Sequence, residues 1–253
     1  MISFFRKIRQ NLLQENRVTR YLAYALGEIV LVGFGILLAL QVNNWNEQRK
    51  NRIQELELLK SVQSDLKRDL ADIDGNVYYQ RKSAHSGRIL LQAMKDQIPY
   101  SDSLGAHFAQ VFLPTSFLYS TSTFETIKSK GVDLIKNVDL RKKMIEVFDS
   151  NYAFFLQNET EFHQYQIHGM EHVFPGRFEE VYRFDLSNQV DIQGKMVPLD
   201  YQALSRDQEF LFYFKSYLNR NAVFVEVNYK KLRSEVVQLS DLLNQEISSR
   251  ESR

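Results

Sequence analysis

The strongest pattern in the chain is an apolar run near its N-terminal end. Residues 21–42 contain a single charged side chain, Glu28, among residues that are otherwise almost all apolar. At about 1.5 Å of rise per residue, a helix of this length covers about 33 Å, enough for a hydrocarbon core of about 30 Å. Tyr21, Tyr24 and Trp45 flank the run, and aromatic rings prefer the level of the lipid headgroups. We therefore predict a transmembrane helix over residues 21–42.

Two other interpretations of this run fit less well. A buried helix of a soluble protein is rarely apolar over so many consecutive residues. A cleavable signal peptide has a shorter apolar region followed by a small-residue cleavage site, whereas the run here ends in ALQVNN, which offers no such site. The pattern favours an uncleaved membrane anchor.

Small residues line one face of the predicted span. Ala23, Gly27, Gly35 and Ala39 are separated by multiples of four residues, a pattern that lets transmembrane helices approach closely. Glu28 lies beside this face, and an ionisable group costs about 2.5–3.5 kcal/mol at the centre of a span and less near its edge. Three roles are open for Glu28: exposure to headgroups or water, a contact between associated helices, and a place in an ion path. We predict an intramembrane contact with a protein partner or with a second copy in a homo-oligomer.

A basic arm, residues 1–20, precedes the run and contains one acidic residue, Glu15. Phe and Leu residues between its cations are typical of an amphipathic segment on an anionic lipid surface. We predict that the arm contacts membrane lipid through five cations: Arg6, Lys7, Arg9, Arg17 and Arg20. Because cations are enriched on the cytoplasmic side of a span, we expect a cytoplasmic N-terminus at the inner (cytoplasmic) membrane. Residues 43–253 would then form an extracytoplasmic (periplasmic) domain.

Helical periodicity continues beyond the span. Apolar residues recur every three or four positions over residues 53–77 and 84–94, before Pro99 interrupts the pattern. A second long stripe, over residues 218–243, has coiled-coil-like spacing. We predict that these two helices pair antiparallel, with the intervening helices closing the far end of a bundle. The fold class is thus mainly α, with one transmembrane helix continuing into a helical bundle.

Local signals place the shorter elements. Ser122 and Glu125 have capping-box spacing before a predicted helix over residues 123–130, and Gly131 is a typical C-cap. Asn137 is a candidate N-cap for the helix that follows.

The final part of the chain begins less regularly. Residues 176–200 show the weakest periodicity, and the VYRF sequence at 181–184 together with Gly194 indicates a short hairpin. We expect the helix before this segment to end ahead of Pro175, and the last long helix to begin at Ser205.

Charge and composition exclude several classes of function. Lys and Arg number 32 and Asp and Glu 31, so no bulk positive charge predicts nucleic-acid binding. The chain contains no cysteine, which excludes disulfides, thiolate metal sites and thiol nucleophiles.

One motif suggests chemistry. His168, Glu171 and His172 match the H-x-x-E-H pattern of inverted zinc proteases, in which two histidines one helical turn apart share the metal. No third ligand can be assigned, Gly169 weakens the helix, and Pro175 ends it within a turn. We therefore expect no enzyme, with no catalytic residues, no metal and no cofactor, and keep a metallopeptidase as a third hypothesis.

A second acidic group has a simpler interpretation. Asp65, Asp69 and Asp72 lie close to Lys67 and Arg68 along one helix. Such mixed charge is typical of the solvated face of an amphipathic helix, and we predict that role for it.

Two segments resemble a known family. YLAYALGEIVLVGFGILLALQVNNWNEQRK, residues 21–50, resembles the N-terminal signature of a family of uncharacterised bacterial single-pass membrane proteins, a domain of unknown function. TFETIKSKGVDLIKNVDLRKKMIEVFDSNY, residues 123–152, is similar to a second block of that family. The resemblance implies a membrane anchor and a helical soluble domain. It implies no reaction, cofactor or partner.

These patterns together predict a membrane-anchored, non-enzymatic interaction or structural protein. Its helical extracytoplasmic domain would bind a protein or envelope partner. The alternative is an accessory subunit of an ion-driven or transport complex in which Glu28 acts within the membrane.

Overall fold

The computed structural model describes residues 18–181 and 194–252. The chain is mainly helical, and within these two ranges there is no strand. One isolated antiparallel bridge joins Phe178 to Pro198. The predicted mainly α class is confirmed. The hairpin predicted at VYRF falls almost entirely outside the described residues.

Eight α-helices account for most of the described chain. The first, α1, is 78 residues long and exceeds the others several-fold in length. Their bounds are α1 Val18–Lys95, α2 Asp102–Val111, α3 Ser122–Lys130, α4 Val138–Ile145, α5 Tyr152–His168, α6 Tyr201–Leu204, α7 Gln208–Val223 and α8 Lys230–Glu251. A short 3₁₀ turn, Val132–Leu134, follows α3.

Three π-helical turns extend these helices. Glu146–Asn151 joins α4 to α5, Gly169–Val173 follows α5, and Phe224–Tyr229 joins α7 to α8. The helix containing α5 therefore ends before Pro175, as predicted. Each π turn inserts an extra residue into the α-helical ladder, and such turns are frequent at functional sites.

The chain divides into two compact units, Met1–Glu55 and Leu56–Arg253. In the first unit, the described residues belong to α1, and their large aliphatic side chains are exposed; Ile29 and Leu31 are 71% and 72% exposed. Over the described ranges, α1 is the one helix whose length and composition would allow it to cross a membrane.

Aromatic side chains form much of the core of the second unit. The ring of Phe112 lies 4.7 Å from that of Phe174 and 5.0 Å from that of Tyr217, measured between centroids. The ring of Phe155 lies 4.7 Å from that of Tyr229. Edge-on and tilted contacts of this kind add about 0.5–1.5 kcal/mol per pair to the burial of the rings.

In the second unit, α1 pairs antiparallel with α7 and α8. Residue numbers fall along α8 and α7 as they rise along α1, which confirms the predicted pairing. The ion pairs across this interface include Lys60–Glu251 at 2.6 Å, Asp74–Arg233 at 2.7 Å and Arg81–Glu226 at 3.0 Å.

Two glycines allow helices to pack closely. A Cβ atom at Gly87 of α1 would lie 2.3 Å from a methyl carbon of Leu218 on α7. A Cβ atom at Gly169 would lie 2.1 Å from the Tyr213 ring. Gly169, which weakens helices by propensity, is therefore required here by packing.

Two predicted caps match the structure. Asn137 caps α4, since its side-chain oxygen accepts hydrogen bonds from the N–H groups of Asp139 and Leu140 at 3.1 Å. Gly131 ends α3 with a φ of 98°, a conformation that favours glycine, and its N–H donates to the carbonyl of Lys128.

Two predicted helix starts are wrong. The capping box of α3 does not form, because Ser122 already lies inside the helix and Glu125 instead pairs with Lys128 at 2.7 Å. The last long helical stretch begins at Gln208 rather than at Ser205, and its cap is Asp207, whose carboxylate accepts two backbone hydrogen bonds.

Candidate functional site

The residues predicted to make an intramembrane contact lie on α1. Gly27, Glu28, Gly35 and Ala39 are all exposed. A Cβ atom at Gly27 or Gly35 would meet no neighbouring atom within 4 Å, and no residue in the described part of the chain pairs with Glu28. Among the described residues, none covers Gly27, Gly35 or Glu28.

The other predicted membrane residues are placed in less detail. Ala23 and Arg20 belong to α1, where the structure defines their backbone. The remaining membrane-surface cations lie outside the described residues: Arg6, Lys7, Arg9 and Arg17.

The H-x-x-E-H motif lies at the end of α5. His168 is its last residue, and Glu171 and His172 lie in the π turn that follows. The two imidazole rings are 4.7 Å apart, and all three side chains are exposed. Across residues 18–181 and 194–252, no group of three or more histidine or acidic side chains is arranged to hold a metal ion.

A stripe of buried polar side chains on α1 was not predicted from the sequence. Asp65 and Asp69 are 4% and 1% exposed, so the predicted solvated face is wrong for both of them. Asn76, Gln80 and Ser83 continue the stripe along the same helix and are also buried.

The stripe binds the backbone of an extended segment, residues 113–121. This segment has no regular secondary structure, so its N–H groups need acceptors outside a helix or a sheet. Carboxylates supply these acceptors. On α1, Asp69 accepts a hydrogen bond from the N–H of Ser120 at 3.1 Å, and Asp72 accepts one from the N–H of Leu118 at 2.9 Å. On α5, Glu159 accepts one from the N–H of Phe117 at 2.9 Å.

Burial changes the acidity of these groups. It raises the pKa of Asp69 to about 6, although hydrogen bonds from the Tyr152 hydroxyl and the Ser120 N–H oppose the shift. Burial also raises the pKa of Glu159 and that of Tyr152, whose hydroxyl donates to Asp69 at 2.6 Å. Because Asp69 and Tyr152 are each 1% exposed, a substrate has no route to them in this conformation. The carboxylates Asp69, Asp72 and Glu159 are thus suited to binding the backbone of residues 113–121.

An apolar surface surrounds one of the π turns. Val223 directly precedes the turn Phe224–Tyr229 and is 57% exposed, and Val227 lies within the turn and is 56% exposed. Phe154 of α5 is 52% exposed, and the ammonium group of Lys231 lies 5.1 Å from its ring centroid. Shallow depressions containing Val223 and Phe154 share a lining residue, Asn228. Exposed apolar surface with a polar rim is typical of a protein-binding site.

A protein-family model, described as a family of unknown function (DUF6090), matches residues 28–188. No curated protein and no solved structure matches the chain. The matched range begins at Glu28 and includes the segment 123–152.

Proposed function

Because this chain belongs to DUF6090, a family of unknown function, we propose its role from its own residues: a membrane-anchored, non-enzymatic interaction protein. Residues 21–42 would span the inner membrane and the basic arm would lie on its cytoplasmic face. The second unit would then be extracytoplasmic and bind a protein or envelope partner.

The exposure of the apolar stretch of α1 carries this proposal. None of its most apolar window is buried within the described chain. Moving a large aliphatic side chain from water into an apolar environment contributes about 1.5–3 kcal/mol, and the stretch contains many of them, including Ile29 and Leu31. A bilayer would cover the whole stretch at once.

The partner-binding role of the second unit is supported by its apolar surface. Val223, Val227 and Phe154 are exposed around a π turn, and large apolar side chains clustered beside charged residues favour a protein partner. On the strength of this surface we propose a binding role rather than catalysis.

A second candidate function rests on Glu28. Its side chain is exposed in the apolar stretch and has no partner among the described residues. An ionisable group at such a position needs a partner or water within the membrane. An accessory subunit of an ion-driven or transport complex, in which Glu28 meets a charge on a neighbouring span, would meet that need.

A mild-detergent pull-down of the full-length tagged protein at native expression distinguishes the two functions. Glu28→Gln keeps the shape of the side chain and removes its charge, while Glu57→Gln makes the same change at an exposed position outside the apolar stretch. If stoichiometric membrane partners are lost with Glu28→Gln alone, the accessory-subunit function is supported. Partners retained by both variants support a contact through the second unit. Recovery of the protein without membranes would contradict the anchor.

A further inference from the structure

A groove of about 500 Å³ lies between α1 and the helical stretch α7 to Phe224–Tyr229. All of its lining residues belong to the second unit. Its volume lies within the range of about 300–1,000 Å³ that is typical of small-ligand sites. Its apolar lining consists of aliphatic side chains: Ala84, Leu91, Leu218, Ala222 and Val225.

Three cations line the same groove. Arg81 and Arg88 come from α1 and Lys215 from α7, while Glu226 is the one acidic residue among the described lining residues. Glu226 pairs with Arg81 at 3.0 Å. Arg88 and Lys215 are exposed and form no ion pair within the described chain. The groove therefore presents two uncompensated positive charges beside an aliphatic floor.

From this geometry we infer that the groove binds a single-chain anionic lipid of the fatty-acid type. The aliphatic lining would contact the acyl chain, and Arg88 and Lys215 would bind the carboxylate through charge-assisted hydrogen bonds. The described lining of the groove contains no aromatic residue. The groove therefore differs from the aromatic core of the same unit. It also differs from protein interfaces, in which aromatic anchors are enriched.

The inference is independent of the proposed partner and of the membrane contact of Glu28. It concerns the surface between α1 and α7, whereas Val223 and Phe154 line other depressions. The proposed function involves contacts with a macromolecule and with the bilayer, whereas this groove would bind a small molecule.

The test is photo-crosslinking of the full chain in nanodiscs of zwitterionic phosphatidylcholine. The probe is palmitate with a diazirine in its acyl chain, and the crosslinked residues are mapped by peptide mass spectrometry. We expect labels in residues 84–91 and 215–226 that excess unmodified palmitate removes. Labels confined to residues 21–42 would overturn the inference, because the probe would then report only on the bilayer.

Charge variants test the head-group contact. Arg88→Glu combined with Lys215→Glu is expected to reduce groove labelling at least about tenfold, because the loss of even one charged hydrogen bond to the carboxylate lowers affinity by about that factor. Lys67→Glu combined with Lys142→Glu makes the same charge change at two exposed positions away from the groove and should leave labelling unchanged. Equal labelling by a diazirine-bearing hexadecanol, which has no charge, would overturn the anionic specificity.

A space-filling variant tests the groove without altering charge. Ala222 is exposed and lines the groove, so Ala222→Trp should occupy it while leaving the core intact. Labelling is expected to fall about tenfold as the acyl chain loses its site. Wild-type labelling in this variant would overturn the inference even if the charge variants failed to fold.

Discussion

Asp69 is a buried carboxyl group that binds both a side chain and the backbone of another segment. It accepts hydrogen bonds from the Tyr152 hydroxyl at 2.6 Å and from the Ser120 N–H at 3.1 Å. Burial is the main cause of its raised pKa of about 6, and the charge of nearby Asp65 adds to it. An aspartate has a pKa of about 3.8 in the unfolded chain. The folded protein therefore holds a proton on Asp69 over a pH range in which the unfolded chain has released it.

The contribution of Asp69 to the free energy of unfolding should rise as the pH falls from 7 to 5, whereas His107, whose pKa is lowered by burial, contributes in the opposite direction. Between about pH 4 and 6 the folded state retains the proton on Asp69 more than the unfolded state does, so this contribution to stability decreases as the pH rises through the window. The difference between 3.8 and about 6 corresponds to about 3 kcal/mol at most, and Glu159 shifts in the same direction. Denaturant unfolding followed by circular dichroism at several pH values measures the slope.

Two variants test whether Asp69 causes the change of unfolding free energy with pH. Asp69→Asn keeps the shape of the side chain and an acceptor oxygen but cannot titrate, so the pH dependence should become flatter. Asp241→Asn changes an exposed acid of α8 and should leave the slope as it is in the wild type. An identical slope in Asp69→Asn and the wild type would show that Asp69 is not the titrating group.

At the scale of elements, close packing of the α5 end against α7 depends on Gly169. The Tyr213 ring occupies the space that a Cβ atom would need, and its face stacks on Tyr165 with centroids 5.1 Å apart. We expect Gly169→Ala to destabilise the second unit by about 1–3 kcal/mol, the usual effect of overpacking.

Gly75→Ala is the matched control. Gly75 lies in α1, and a Cβ atom added to it would meet no neighbouring atom within 4 Å, so alanine should stabilise the helix by about 0.5–1 kcal/mol. Denaturant midpoints of the two variants should therefore move in opposite directions. Stabilisation by both variants would mean that helix propensity, rather than contact with Tyr213, determines the effect at Gly169.

The long helices were predictable because their apolar residues repeat at a period that the sequence displays directly. The stripes at 53–77 and 218–243 could bury their apolar faces by packing on each other, and the structure pairs them. The cap at Asp207 was missed because Ser205 is an equally suitable residue type two positions earlier. The π turns were missed because a single inserted residue leaves the spacing of apolar residues nearly unchanged.

Some residues of the candidate sites can likewise be recognised from the sequence and others cannot. Glu28 is the one charged residue within an apolar run, so the sequence alone is enough to propose it as a candidate. The burial of Asp65 and Asp69 was hidden, since acids next to Lys67 and Arg68 are usually solvated and the covering segment, residues 113–121, has no periodic pattern. The groove was hidden because its cations come from helices far apart in the chain.

At the scale of the whole molecule, orientation in the membrane is the first property to test. The chain has no cysteine, so Gln10→Cys and Ser252→Cys each introduce one unique label site. In spheroplasts, a membrane-impermeant maleimide should modify Ser252→Cys and leave Gln10→Cys unmodified; both should react after permeabilisation. The opposite pattern of labelling would place the second unit in the cytoplasm.

The antiparallel pairing of α1 with α8 also sets the order in which this protein can be completed. Gln63 and Asn244, which share a hydrogen bond, are 181 residues apart in sequence. At about 5–20 residues per second, a ribosome needs about 10–40 s to make the chain between them. Throughout that interval the apolar face of α1 has emerged without the helix that covers it. A cell that makes this protein must therefore keep nascent chains apart until Lys230–Glu251, the helix α8, has been synthesised.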